Sequence, residues 1–525
     1  MARTIVGLGG LLDDPACCVV HNGSLASAVE QSKVARHHRS GSFPAEAFAA
    51  AVDIAGIDSA KIDCVAVARP FAVGPESLTQ VELRSRFPAA EIVVVEHHNA
   101  HAASAFYASP FEEASVLSVD RAGDYRSAVL FQGANEQLTP LRELYFPDSL
   151  GDLYNRVTKL LGFEARADEH KVQWLSAAGR PVYLSLFQEI LHQGAASWPH
   201  IDLSFFDADR LSYGGFSARF YEAIGSNAHE KVSAEQRADL AASLQIAIEE
   251  AVVAMLGSAQ NVCLAGGLAL NATLTYALEQ AFGRVFVQPV AGNAGTALGA
   301  ALHAWHNFCH EKARIPFHTL ALGPSYNAAE IKQVVENCKL RFRFLPTEGE
   351  LIERAIAALN DNQIVAWMHG RMEFGPRALG HRSILASPLN PYSSENLNAY
   401  IKHRESFRKF AASVPAELAE NYFRVGANAR YLATVGQVLP EHKETFAAAI
   451  LARDLIRIHT VHRDENPLYH ALLIAAGKST GLPVLYNTSF NLFGDPLVCT
   501  PRDAVRSFYS SGIDALFAGN FLLEK

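Results

Sequence analysis

The sequence contains no run of about 18 apolar residues, the length that a helical membrane span requires, so no membrane-spanning helix is expected. It is poor in cysteine, with seven in 525 residues, all scattered and none in a C-x-x-C pair. That excludes a disulfide framework and a cysteine-built structural zinc module, and the thiols read as buried groups in a reducing compartment. Positive charge is also short: 45 lysines and arginines face 54 aspartates and glutamates, a net charge of −9. A broad nucleic-acid-binding surface is therefore not expected, while a local basic pocket for small anions is still allowed. The H-E-x-x-H pattern is missing, so no zinc-protease pair stands out. The opening "MARTIVGLGGLLDDP" has one arginine, a short apolar stretch and two early aspartates; it does not read as a secretory signal, and a cytoplasmic location is expected.

With 49% hydrophobic and 19% charged residues, the composition is that of a soluble globular enzyme. The length exceeds what one core usually supports, so two or three domains are expected. Two segments, "TIVGLGGLLDDPACCVVHNG" (4–23) and "SVLSVDRAGDYRSAVLFQG" (115–133), share one form: apolar strand, Gly- and Asp-rich turn, second apolar strand, polar turn. This repetition predicts a duplicated α/β unit. Between them, "PAEAFAAAVDIAGI" reads as a helix, and "DCVAVA" and "EIVVVEHH" as short buried strands. Further on, "AEQRADLAASLQIAIEEAVVAML" has helical apolar spacing. The strand "NVCLAGG" then turns through Gly266 and Gly267 into another helix, and "VQPVAGNAGTALGAALHAW" forms a second glycine loop ahead of a helix. Such loops aim backbone N–H groups at a phosphate, or they are packing turns. Near residue 320, "LGPSYNAAEI" reads as a domain boundary.

In "VVVEHHNAHAAS", His97 and His101 stand four apart and share one face if a helix starts near residue 97, while His98 points elsewhere. The pair is either a metal site or a set of turn and core histidines. Asp120, at the end of "VLSVD", favours the metal, because acidic residues at strand ends in open α/β sheets tend to face the ligand crevice. Two imidazoles with one or two carboxylates suit Fe(II), Zn(II) or Mn(II). In the last 200 residues, Arg371, Arg377, Arg382, Lys402, Arg404 and Arg408 concentrate positive charge, either to bind phosphate or as a solvated face. Asn487, Thr488, Ser489 and Asn491 could contact phosphate or ribose, or simply shape a turn.

Together, "EHHNAHAAS", "VDRAGD", "CLAGGLALNA", "AGNAGTALGAAL", "GRMEFGPRALGHRS", "KHRESFRKFAASV" and "NTSFNLFGDPLVCTPRDA" resemble, in order over nearly the whole chain, the ATP-dependent O-carbamoyltransferases of antibiotic and nodulation-factor biosynthesis. The resemblance implies an α/β chain with a duplicated actin-like (RNase H-like) domain over 1–322, of the kind found in the tRNA-threonylcarbamoylation ATPase. A YrdC-like α/β domain would follow over 323–525. It implies that the second domain converts carbamoyl phosphate and Mg-ATP to carbamoyl adenylate. The first, metal-containing domain would then pass the carbamoyl group to a hydroxyl, or an amine, of a small-molecule acceptor. By motif position, His97, His101, Asp120 and Asn293 match the ligands of a divalent metal, Fe(II) first and Zn or Mn next. Asp14, His98 and Asp124 are the candidate catalytic groups around it. Gly266, Gly267 and Asn271 match the phosphate loop of the first domain. Arg371, Lys402, Arg404, Arg457, Asn487, Ser489 and Asn491 match the nucleotide and carbamoyl phosphate site.

No nucleic-acid or membrane partner is implied, and family members are often homodimers. The family's last metal ligand is usually an aspartate where this chain has Asn293, which implies a weaker metal site or a different ligand set. Asp13-Asp14 replaces His-Asp in the first hairpin, and Glu30-Gln31 replaces Glu-Glu. The acceptor pocket is expected to draw on region 180–230, including "HIDLSFFDADRLSYGGFSARF".

Overall fold

A computed structural model describes the chain except residues 1–2, 38–40, 70–75, 193–197, 208–213, 228–231, 316 and 493. Its first half contains two five-stranded sheets of one design. In the first, β1 (Thr4–Gly9), β2 (Ala16–His21) and β3 (Ser24–Glu30) form an antiparallel meander, and β4 (Cys64–Ala68) and β5 (Glu91–Val95) add in parallel beside β1. The strand order is β3-β2-β1-β4-β5. In the second, β6 (Glu113–Gly123), β7 (Arg126–Ala134) and β8 (Gln137–Tyr145) form the meander, and β9 (Val262–Ala265) and β10 (Val285–Val287) add in parallel beside β6. Its order, β10-β9-β6-β7-β8, is the first sheet's order read from the opposite edge. The duplication expected from the repeated hairpins is thus present strand for strand, and the first half is a duplicated actin-like unit.

The physical reason lies in the pattern of the strands. The inner strands β1, β2 and β4 carry near-continuous buried apolar residues, as strands covered on both faces must. Between the two sheets run two alanine-rich helices, His97–Phe106 and Gly295–His303. Small residues let them approach closely: a β-carbon on Gly299 would lie 1.7 Å from the Ala100 carbonyl oxygen, and one on Gly7 would lie 2.0 Å from that of Ala297. This sandwich sets the start of one helix, at His97, near the start of the other, just after Asn293.

Residues 343–524 supply a ten-stranded mixed sheet. Three neighbouring strands near its centre matter for function: Leu485–Ser489, Ala411–Pro415 and Leu455–Val461. The last two are parallel and the first is antiparallel to them, with Asn487 and Arg457 both paired to Ala411. No described helix is long and apolar enough to cross a membrane.

Candidate functional site

Strand β5 delivers the chain into the helix at His97, and strand β6 ends beside it at Asp120. The Nε2 atoms of His97 and His101 both approach Asp120 Oδ2, at 2.9 and 3.2 Å. One donor atom from each of the three residues falls within a 4.8 Å cluster. The arrangement is held from several sides. Asp120 Oδ1 accepts from the Arg121 amide at 2.7 Å, and a β-carbon on Gly267 would lie 3.1 Å from the same oxygen. Gly123 has no room for a side chain, because its β-carbon would lie 2.0 Å from the His97 ring. Burial pushes the Asp120 carboxyl up, but the His101 and His97 imidazoles beside it outweigh this and hold the group well below the usual carboxylate range. Burial also lowers the His101 imidazole.

The residues fit a cation. His101 is fully buried, yet neither of its ring nitrogens meets a partner with hydrogen-bond geometry, and the buried Oδ1 of Asn293 has none either. Buried polar atoms left unpaired are costly, and a divalent ion would satisfy them. Asn293 is positioned by the helix sandwich: Thr296 Oγ1 donates to the Asn293 carbonyl at 2.6 Å and accepts from the Gly10 amide at 3.1 Å. Its Nδ2 donates to Asp13 Oδ2 at 3.3 Å, which ties the loop to the tip of the first hairpin.

The other first-half candidates have different surroundings. His98 is fully buried, with Nδ1 2.8 Å from Ser118 Oγ and Nε2 3.0 Å from the Arg126 carbonyl oxygen. With both nitrogens occupied it orients its helix and does not face the cluster. Asp124 accepts from the His97 backbone N–H at 3.1 Å and lies within 4 Å of Arg69 and Arg126, so it caps the helix that carries the histidines. Asp14 lies at the hairpin tip, and burial together with the nearby Glu30 charge raises its carboxyl to about 7. Of the glycine-loop residues, Gly266 (φ +95°) lies against the Val119 backbone. Asn271 caps the following helix through the Leu274 amide and pairs with Gln245. Its side chain is spent on structure.

The second-half residues gather at one end of the three central strands. Lys402 Nζ donates to Asn491 Oδ1 at 2.7 Å and to the Asn491 and Ser489 carbonyls, and Ser489 Oγ donates to Asn491 Oδ1 at 2.6 Å. Arg404 donates to Asn398 and lies over the Phe410 ring. Arg457 lies 4.9 Å from the Trp174 ring centroid, and its Nε has no partner. Burial and the mutual repulsion of Arg377, Arg404 and Arg408 push Arg457 well below the usual guanidinium range. Burial and Arg408 bring Arg404 to about 9. A set of cations that repel one another is organised for an anion.

Arg371 stands apart from this set. It donates to the carbonyls of Ala26, Leu322 and Gly323 and so ties the two halves together. Asn487 donates to the Ala378 carbonyl at 3.0 Å, and its Oδ1 is unpaired. Trp174 was not singled out by the sequence. In region 180–230, Phe205, Phe216 and Phe220 belong to the core, while 193–197, 208–213 and 228–230 lie outside the described residues. A neighbouring cleft is lined by Ser149, Asp152, Arg156, Ile201, Leu203 and Phe206. Ser149 donates to the Arg121 carbonyl at 2.7 Å, next to Asp120.

Residues 76–302 match the family model for the carbamoyltransferase N-terminus, and residues 356–525 match that for the carbamoyltransferase C-terminus. A Synechocystis protein, uncharacterized protein sll1178, is 32% identical over 99% of this chain and 96% of its own length. The nodulation protein NolNO of Sinorhizobium fredii is 31% identical over 98% of this chain and 79% of its own. The chain belongs to the carbamoyltransferase family, and its class of activity is carbamoyl transfer. Among solved structures it is similar to T. kodakarensis HypF, at 15% identity over 57% of this chain and 47% of that one. The TM-score there is 0.33, too low to carry an inference.

Proposed function

We propose that this chain activates carbamoyl phosphate with ATP as carbamoyl adenylate at the Lys402, Arg404 and Arg457 cluster. It then transfers the carbamoyl group to a hydroxyl of a small molecule at the His97, His101 and Asp120 cluster. The observation that carries this reading is the presence of two built sites in a carbamoyltransferase: a set of donors suited to a divalent ion, and a set of unneutralised cations. The division of labour has a chemical reason. Carbamate is a poor electrophile, and adenylation gives it a leaving group.

At the second site the arginines and Lys402 would hold the phosphates and offset the charge that develops as pyrophosphate leaves. Trp174 would wall the site from the first-half side. At the first site, His97, His101, Asp120 and the Asn293 carbonyl oxygen would hold a divalent cation, Fe(II) by family resemblance, which supplies a Lewis acid for the carbamoyl oxygen. Asp14 is the candidate base, because a carboxyl raised to about 7 can take up a hydroxyl proton near neutral pH. The cleft beside Ser149, Asp152 and Arg156 is the candidate place for the acceptor, with Phe206 and Leu203 offering an apolar face.

The test is exchange of labelled pyrophosphate into ATP by the full chain. Exchange that requires carbamoyl phosphate is expected; none at any metal content would refute the adenylation step. A second reading, adenylation coupled to a different outcome, is favoured by Asn293 and Asp13, where the family has other residues. It would be indicated by strong exchange with no carbamoylated product from any hydroxylated acceptor.

A further inference from the structure

The tip of the first hairpin meets the metal-ligand cluster at Asn293, and we propose that Asp13 is a positioning residue that sets which end of the Asn293 amide faces the cation. The inference rests on the reading of His97, His101, Asp120 and Asn293 as metal ligands. An amide has two unlike ends, an oxygen that can bind a cation and an NH₂ group that cannot. A carboxylate has two like ends and needs no such choice. Asn293 Nδ2 donates to Asp13 Oδ2 at 3.3 Å, which leaves Oδ1 on the other side, buried and without a partner. On that side stands His101, whose two ring nitrogens are also unpaired. Turned over, the amide would set its oxygen against the Asp13 carboxylate and its N–H groups toward the cation. Both contacts are repulsive, so Asp13 selects the orientation that a metal needs.

Asp13 is held for this task from two sides. Its backbone belongs to a tight turn, in which the Asp13 and Asp14 amides donate to the Gly10 carbonyl at 3.0 and 2.9 Å. The turn is packed on the Asn293 loop, since a β-carbon on Gly10 would lie 3.1 Å from the Asn293 carbonyl carbon. The second carboxylate oxygen, Asp13 Oδ1, accepts from Arg166 Nη2 at 2.6 Å. Arg166 comes from the turn between the helices Leu150–Leu160 and Glu169–Leu175, and its φ of +73° is one that a residue with a side chain rarely adopts unless its surroundings hold it there. Here the Arg166 amide is held by Asn155 Oδ1, at 3.0 Å, and by Glu169 Oε1. Each Asp13 oxygen thus has its own partner. The arginine takes Oδ1, and Oδ2 is left to hold the NH₂ end of Asn293.

The pairing matters because Asn293 is neutral. Two imidazoles, one carboxylate and an amide oxygen leave a divalent ion with one net positive charge, where a second carboxylate would leave none. A neutral ligand holds the ion through its dipole alone, so its contribution depends on the direction in which it points. Partners that orient a ligand without touching the metal commonly carry about 10–100-fold in metal affinity. Asp13 and Asn293 form such a unit: the negative charge stands one side chain back from the cation and aims the amide at it.

The experiment measures Mn(II) binding by the full chain, from the electron spin resonance signal of free Mn(II), for the parent, Asp13→Ala, Asn293→Asp and the double variant. Asp13→Ala is expected to weaken binding by about tenfold or more when residue 293 is asparagine. With Asn293→Asp, whose two oxygens are alike, the same change is expected to weaken binding by less than about threefold, because nothing is left to orient. A through-space effect of the Asp13 charge, direct ligation by Asp13, or a purely structural role of the hairpin tip would weaken binding alike in both backgrounds. A ratio of the two losses below about three therefore overturns the proposal, and a larger one supports it. Should Asp13→Ala fail to fold, Asp13→Leu takes its place in the same comparison. His101→Ala separates the proposal from the reading beneath it. Binding that is absent in the parent chain, or unchanged by His101→Ala, refutes the metal reading and the proposal with it. Binding that depends on His101 but shows equal losses overturns the role of Asp13 alone.

Discussion

Asn293→Asp should lower stability without metal and raise metal affinity, two effects of opposite sign from one atom. The Asn293 amide nitrogen lies 3.3 Å from Asp13 Oδ2, and its carbonyl oxygen is buried and unpaired. In the variant a carboxylate oxygen replaces the amide donor and faces Asp13. Two unit charges at that separation repel by about 5 kcal/mol at an effective dielectric constant of 20 and by about 1.3 kcal/mol in water. Asp13 is nearly half exposed and ion-paired with Arg166, so the lower end applies, about 1–2 kcal/mol. Loss of the hydrogen bond adds about 1 kcal/mol. With chelator present, the expected outcome is a melting temperature lower by about 5 °C or more, using about 2–4 °C per kcal/mol. With Fe(II) or Mn(II), the added charge faces a cation, and affinity should rise at least tenfold, about 1.4 kcal/mol. Thermal unfolding with and without metal, together with an anaerobic metal titration, reads both effects. Equal destabilisation in the two conditions with unchanged metal affinity would refute Asn293 as a ligand.

Arg457→Met should reduce pyrophosphate exchange more than tenfold yet raise the melting temperature of the ligand-free chain, because it removes a cation that Arg377, Arg404 and Arg408 repel; a parallel fall in both would contradict the assignment. Gly266→Ala should cost about 3 kcal/mol or more and abolish metal binding, since at φ +95° its β-carbon would lie 2.1 Å from the Val119 carbonyl oxygen; a urea titration and metal analysis check this. His369 and His459 are held neutral in the fold by burial, each at about 3. Because the unfolded chain takes up these protons below about pH 6.5, stability is full above that pH and falls as pH drops toward 3. Each histidine should cost about 2 kcal/mol between pH 6.5 and 5, so urea unfolding of His459→Gln should be flatter with pH by that amount.

The periodic parts of this fold could be read from the sequence because period and burial act locally. Two glycine- and aspartate-tipped hairpins announced the duplicated unit, and the change from "EIVVV" to "HHNAHAASAF" announced a helix starting at His97. The i, i+4 spacing then brought His97 and His101 to one carboxylate. Roles that depend on a distant partner could not be read that way. Nothing in "VDRAGD" shows that Asp124 turns back to the His97 amide while Asp120 faces the histidines. Nor does "GRMEFGPRALGHRS" reveal where each of its three arginines reaches. Arg371 is spent on the strap around Leu322, Arg382 on its own loop, and only Arg377 reaches the turn beside Asp120. Motif position grouped Arg371 with Lys402, but the carbonyls of Ala26 and Gly323 decide its use.

The cation cluster bears on how the chain is held together as well as on its chemistry. In an acidic protein, Arg377, Arg404, Arg408, Arg457 and Lys402 are drawn together with few carboxylates among them. Glu405, shared by Lys171 and Arg408, is about one-third exposed. Burial lowers each of these cations, and Arg404 and Arg408 repel Lys402 as well as Arg457. Without an anion the cluster opposes folding; with one, the same charges favour it. A ligand that binds only the folded chain at 100 times its dissociation constant adds about 2.7 kcal/mol. ATP should therefore raise the melting temperature of the parent chain, and the rise should shrink in Arg457→Met, whose ligand-free form is already relieved of part of the repulsion. The cluster thus makes the stability of the second half depend on the ligand, and a melting curve can detect an occupied nucleotide site before any acceptor is known.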